Sequence, residues 1–209
     1  MSLVLRTRSP SANWWSSACP LKAARAFSST SRALAQRRSC RRFAPRKLTP
    51  AQIGQIAWAA QGVTGPGRGY RAAPSAGALY PMELYLVGPD GVHHYAPSGH
   101  RLDPHQRGDV RGELAKAALG QDFVRQAPLT VVISAVHDRV TRKYGQRGVM
   151  YVHMEAGHIA QNVHLQSVAL GLGSVPVGAF HPSQVAEVLS LPKDREPLYL
   201  IPVGYPATR

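Results

Sequence analysis

Acidic residues are scarce, and none precedes Glu83. The chain carries 11 Asp and Glu against 25 Lys and Arg, a formal net charge of +14. Much of the excess lies ahead of Thr49, and the rest of the chain is only mildly basic. Such a charge can signal nucleic acid or a membrane surface. Its distribution argues otherwise, because no helix pattern carries a basic stripe interleaved with aromatics. A basic nucleic-acid-binding protein without enzyme activity is therefore kept only as the non-enzyme alternative. Cysteine is nearly absent too: Cys19 and Cys40 are the only two. That excludes a disulfide framework or a cysteine-built zinc site and reads as free thiols in a reducing compartment. No apolar run approaches the length of a membrane span.

What is present suits one domain with a sizeable core. The chain has 209 residues, 44% hydrophobic and 17% charged. Residues 1–32 read as a disordered or leader-like basic tail, rich in Ser, Ala and Arg and without a sustained period. Residues 33–209 read as the folded domain. The expected location is cytoplasmic, with the basic tail leaving an organellar leader open.

Ala33 to Gln36 closes a helix, and Arg37-Arg38-Ser39-Cys40-Arg41-Arg42-Phe43 follows. Arginine forks and a hydroxyl at this density can grip a phosphate; a solvated linker is the plain alternative. Thr49 and Pro50 open a helix whose inner face is Ile53, Ile56, Ala57 and Ala60. Gly65 to Gly69 is a loop, not a dinucleotide fingerprint, because no strand leads into it. Pro74-Ser75 can open a further helix, kept slim by Ala76, Gly77 and Ala78. Its free N–H groups can meet the polar edge of a ligand. No nucleophile elbow surrounds Ser75. Strands are expected at Glu83–Val87, Val92–Tyr95, Leu129–Val136 and Leu198–Val203, and helices at Arg111–Leu119 and Pro182–Leu191. Glu155 and His158 form a single Glu-x-x-His, short of the pair a di-iron bundle needs. H-E-x-x-H is absent, so no metal site is expected, and the histidines read as polar-face or hydrogen-bonded core residues.

Gln161 to Phe180 organises the rest. Val163, Leu165, Val168, Ala169 and Leu170 form an apolar stripe at helix spacing, and Gly171 ends the helix. Ser174 to Val177 is a short β-branched run. Gly178 and Ala179 then leave a bare strand end, suited to a flat cofactor lying against the main chain.

The order of RRSCRRF, PSAGALYP, KYGQRG, GHIAQN, GLGSVPVGAF and PVGYP resembles the nitroreductase-like flavoprotein superfamily. More narrowly it resembles the SagB-type dehydrogenases, which include azoline oxidases of peptide natural products. The resemblance implies an α+β fold: a mixed, mainly antiparallel sheet surrounded by helices, in a homodimer with FMN at the interface. It implies that Arg37, Arg38, Ser39 and Arg41 hold the phosphate and ribityl chain. Pro74, Ser75, Ala76, Ala78 and Leu79 would line the pyrimidine side of the ring, although many relatives carry Asn where Ala78 stands. Pro176, Val177, Gly178 and Ala179 would cover one ring face, with the Ala179 N–H toward N5. Many relatives carry Glu where Gly178 stands, so the rim is more open here. Arg209 would add a phosphate contact. Lys143 and Tyr144 match a catalytic pair that takes a proton while hydride passes to N5. The implied substrate is a peptide azoline. The alternative is a nitro or quinone compound reduced with NAD(P)H as transient donor.

Overall fold

The computed structural model describes residues 29–65, 67 and 69–207. The expected tail lies outside the described residues up to position 28, and Arg209 lies outside them as well. The first described element is α1 (Ser29–Gln36), which starts four residues ahead of the expected Ala33. Next comes α2 (Pro50–Gln61). Thr49 caps it: its hydroxyl accepts from the Gln52 N–H while the Gln52 side chain accepts from the Thr49 N–H. Two short strands, β1 (Val63–Gly65) and β2 (Tyr70–Arg71), pair antiparallel around the glycine loop.

The main sheet has six strands in the order β5-β4-β3-β6-β8-β7, every neighbouring pair antiparallel. They are β3 (Met82–Gly88), β4 (Gly91–Ala96), β5 (Arg101–Arg107), β6 (Leu129–Ala135), β7 (Gly173–Ser174) and β8 (Glu196–Gly204). β6 lies between β3 and β8, and all seven of its residues are buried. A strand covered on both faces needs apolar residues at every position, which is why it reads as an unbroken β-branched run. Alternation sorts β3 between two layers: Met82, Leu84 and Leu86 join the core under α2 and the long helix, and Tyr85 and Val87 join the core on the opposite face. That opposite layer is built by α3 (Arg111–Ala117), α4 (Asp122–Gln126) and α7 (Pro182–Val188). The fold is thus α+β, with an antiparallel sheet between helical layers.

Between β6 and β7 run α5 (Asp138–Tyr144) and α6 (Arg147–Ala169), the longest helix among those described. Gly171 stops α6 at φ 71°. Its N–H donates to the Val168 carbonyl and the Leu172 N–H donates to the Ser167 carbonyl, the paired closure that a left-handed glycine allows. The expected strand over Ser174–Val177 is shorter than predicted. Pro176 has no N–H to donate, so pairing breaks there and resumes only at a bridge between Val177 and Leu200. The expected helix after Pro74 is replaced by a single 3-10 turn, Ala76–Ala78. Gly77 at φ 61° and Ala78 at φ 53° are left-handed, and no helix continues through such residues.

Candidate active site

The structure draws the sequence-predicted residues into two groups, set at different stations along α6. At the C-terminal station, Ser39 forms a parallel bridge with Ser174, and the Cys40 N–H donates to the Ser174 carbonyl at 3.0 Å. The arginine-rich segment is therefore fixed along β7. Arg38 turns back to donate to the carbonyls of Ala35 and Arg37, closing α1 rather than pointing away. Arg41 is exposed and lies over the Phe123 ring at 5.9 Å. Among the described residues, neither Arg37 nor Arg41 pairs with a carboxylate. The Ala207 N–H donates to the Arg42 carbonyl at 3.0 Å, so the chain end returns alongside this segment.

Behind the arginines, buried His164 shares a 2.7 Å hydrogen bond between its Nδ1 and the Ser174 hydroxyl. Burial first, and the charge of Arg37 second, push the imidazole down to about 4. His164 is thus neutral at physiological pH, and its Nε2 has no partner among the described residues. Just beyond, Val177 is buried while Gly178 and Ala179 are exposed. The Ala179 carbonyl accepts from the Gln121 side chain, while its N–H has no partner among the described residues. A bare strand end with a free donor, flanked by unpaired cations, suits a planar anionic cofactor.

At the other station, the segment carrying Pro74, Ser75, Ala76, Ala78 and Leu79 approaches Lys143 and Tyr144 at Gly77. A Cβ placed on Gly77 would stand 2.7 Å from the Tyr144 hydroxyl and 3.1 Å from Lys143 Nζ. Glycine suits the left-handed φ, and a Cβ there would have to push the Tyr144 hydroxyl and Lys143 Nζ aside. Ala78 and Tyr80 are also left-handed, at φ 53° and 47°. Each such non-glycine residue costs about 1–2 kcal/mol, so the surroundings must hold the segment in place. Lys143 is exposed and Tyr144 half-buried, edge-on to Tyr151 at 5.2 Å. They end α5 rather than sitting in a loop. The same helix is tied down by Arg139, which donates to the Tyr80 carbonyl and pairs with Glu83. Desolvation at Glu83 would raise its pKa. Hydrogen bonds from His94 and Arg139 outweigh that cost and hold the carboxyl down at about 2.

The two stations are not in contact among the described residues. Glu155 marks one and His164 the other, about 13 Å apart along α6 at 1.5 Å per residue. Sequence reading missed the side chains that build the Glu155 station: Gln61, Arg71, Glu155 and Asn162. Asn162 donates to the carbonyls of Ala59 and Ala72 and so anchors the start of the left-handed segment. One signal was available for Glu155. It falls in the apolar period of Val152, Ala156, Ile159 and Val163, where an exposed acid has no place. Among the described residues no three His, Cys, Asp or Glu converge as metal ligands, and no helix is long and apolar enough to cross a membrane.

Known proteins share this architecture. A protein of Methanocaldococcus jannaschii named as a nitroreductase is 45% identical over 177 residues, covering 82% of this chain and 88% of that protein. The Escherichia coli microcin B17-processing protein is 28% identical over 138 residues, covering 60% of this chain and half of its own length. A nitroreductase-type crystal structure from Ralstonia eutropha superposes with a TM-score of 0.78 at 32% identity, covering 85% of this chain and 82% of that one. The nitroreductase family model matches residues 34–205, so the chain belongs to the nitroreductase family of oxidoreductases.

Proposed function

We propose that the protein is an FMN-dependent oxidoreductase of the SagB type, acting on azolines in peptides. The observation that carries this reading is the packing of Lys143 and Tyr144 against Gly77. It sets a lysine amine and a tyrosine hydroxyl beside the segment assigned to the pyrimidine side of the ring. A reductase that only relays hydride has no need of a placed base, whereas azoline oxidation must also remove a carbon-bound proton.

The residues fit the cofactor. Arg37, Arg41 and Ser39 would hold the phosphate, with Arg209, outside the described residues, as a further proposed contact. Pro176, Val177, Gly178 and Ala179 would lie under the ring, with the Ala179 N–H presented to it. Bound there, the flavin supplies a two-electron acceptor or donor at N5. Lys143 or Tyr144 takes the substrate proton, and Arg139 and Glu83 keep α5 in place while it does so. Arg38 contributes charge rather than a direct contact, since its guanidinium is engaged with α1.

A homodimer belongs to this reading. Met150 and Met154 are 43% and 49% exposed on one face of α6, alongside exposed Gly157 and Gln161. A small, apolar helix face of this kind suits a second copy of the chain. It would also let one subunit's left-handed segment complete the other's phosphate site, bridging the separation between stations.

NAD(P)H-dependent reduction of a nitro or quinone compound is the second reading, favoured by the 45% identity to the M. jannaschii protein. The two are separated by assaying flavin-loaded protein on a thiazoline-containing peptide and on a quinone with a nicotinamide donor. Azoline oxidation is the expected activity; quinone reduction alone assigns the second reading.

A further inference from the structure

We infer that Glu155 is a positioning residue that holds the segment 74–80 in its left-handed shape against Lys143 and Tyr144. The inference rests on the functional reading above only for what the segment is for; the geometry stands without it.

Glu155 and Gln61 are 2% and 1% exposed, and they face each other across α6 and α2. The Gln61 Nε2 donates to Glu155 Oε1 at 3.2 Å, and Arg71 donates to Gln61 Oε1 at 3.1 Å. Arg71 reaches the segment directly: its N–H donates to the Tyr80 hydroxyl and its guanidinium lies 4.5 Å from the Tyr80 ring centre. The Tyr80 N–H in turn donates to Ser75 Oγ at 2.9 Å. A chain of contacts therefore runs from Glu155 through Gln61 and Arg71 to Tyr80 and Ser75, at the base of the strained turn. A fully satisfied buried network fixes one geometry; removing a member leaves the others buried without partners.

Ser75 is the hinge of the device. Its carbonyl accepts from the Ala78 N–H and its hydroxyl oxygen from the Tyr80 N–H, so it braces both ends of the left-handed stretch. Glu155 is tied to this stretch through Gln61 and Arg71. Burial raises the Glu155 carboxyl above its ordinary value. The Ser75 and Gln61 hydrogen bonds pull it back, as do the charges of Arg71 and His158. Both protonation states can accept from Gln61 Nε2, so the link does not depend on the proton.

Amide hydrogen exchange tests this in the full-length protein without any activity. In Glu155→Leu, amides of residues 76–80 should exchange at least about tenfold faster, while those of β6 stay unchanged. Glu155→Gln keeps an acceptor for Gln61 and should restore wild-type exchange. Ser75→Ala should reproduce the local effect with Glu155 in place. The inference is overturned if Glu155→Leu leaves residues 76–80 unchanged or loosens β6 equally. Failure of Glu155→Gln to rescue, or no local effect of Ser75→Ala, overturns it as well. Flavin content, read on the same wild-type preparation, is a separate result: colourless protein would sink the flavin reading and leave the exchange result standing.

Discussion

The two ends of the site on α6 each contain a buried titratable side chain, and they are built on opposite plans. Glu155 sits in a ring of partners drawn from α2, β2 and the left-handed segment. His164 has one hydroxyl partner and an unpartnered nitrogen, with Arg37 close by. Burial favours the neutral form of both, so it moves them in opposite directions: the carboxyl upward, the imidazole down to about 4. The first end is organised to hold a backbone shape. The second is organised to keep a face electrically open, with cations unpaired and a strand end bare. In the proposed function, proton chemistry falls to the Glu155 end and cofactor grip to the His164 end.

The most severe way to break this division is at the chemical end. Lys143→Ala combined with Tyr144→Phe should lower azoline oxidation about 10²–10⁴-fold while flavin affinity stays unchanged, measured by turnover and flavin titration on one preparation. Quinone reduction by the same variant should move less than about tenfold. If both activities fall together with flavin retained, the pair serves flavin chemistry generally and the division is too sharp.

At the gripping end, Arg41→Ala should weaken FMN binding about tenfold to a hundredfold, the cost of one charge-assisted hydrogen bond. Arg46→Ala is the control: Arg46 is a neighbour in sequence but is stacked 3.9 Å from the Tyr205 ring centre. It should leave affinity unchanged. Equal dissociation constants for the two variants would remove the assignment.

The smallest effect is the most telling about the two plans. Glu155 has a raised folded pKa, so its folded form holds more protons than the unfolded chain. The stability it contributes is present at acid pH and lost as pH rises through the folded value. His164 is depressed, so its contribution is present above the ordinary histidine value and lost as pH falls through about 4. Urea midpoints measured from about pH 4 to pH 8 should therefore respond in opposite limbs. Glu155→Gln flattens the decline toward neutral pH, and His164→Asn flattens the decline toward acid. Identical pH profiles for both variants would show that burial is not what sets these groups.

Much of the fold was legible because its signals are local. The all-apolar run of β6, the Thr49 cap, the stop at Gly171 and the arginine cluster each declare themselves within a few residues. β5 was not legible: it is polar, carries Pro104 and lies at the sheet edge, where one face and one ladder are free of the usual demands. α4 is only five residues and has too little period to read. Family resemblance named the segments of the site, and the structure sets Lys143 beside Gly77 as a juxtaposition no spacing rule supplies. The chain of contacts from Glu155 to Ser75 was hidden for another reason. Gln61 and Glu155 are 94 positions apart, and each alone looks like an ordinary polar residue on a helix. Only their shared burial reveals the network. The non-enzyme reading drawn from the net charge gives way to membership in an oxidoreductase family. Charge is a property of the whole chain, whereas the family match rests on the order of its segments.

The most direct test of the account is FMN titration of purified protein, followed by the fluorescence of the free flavin. The account predicts saturable, non-covalent binding of one FMN per chain that Arg41→Ala weakens and the Lys143, Tyr144 double variant does not. Protein that stays colourless with excess FMN would contradict it, as would binding lost in the double variant and untouched in Arg41→Ala.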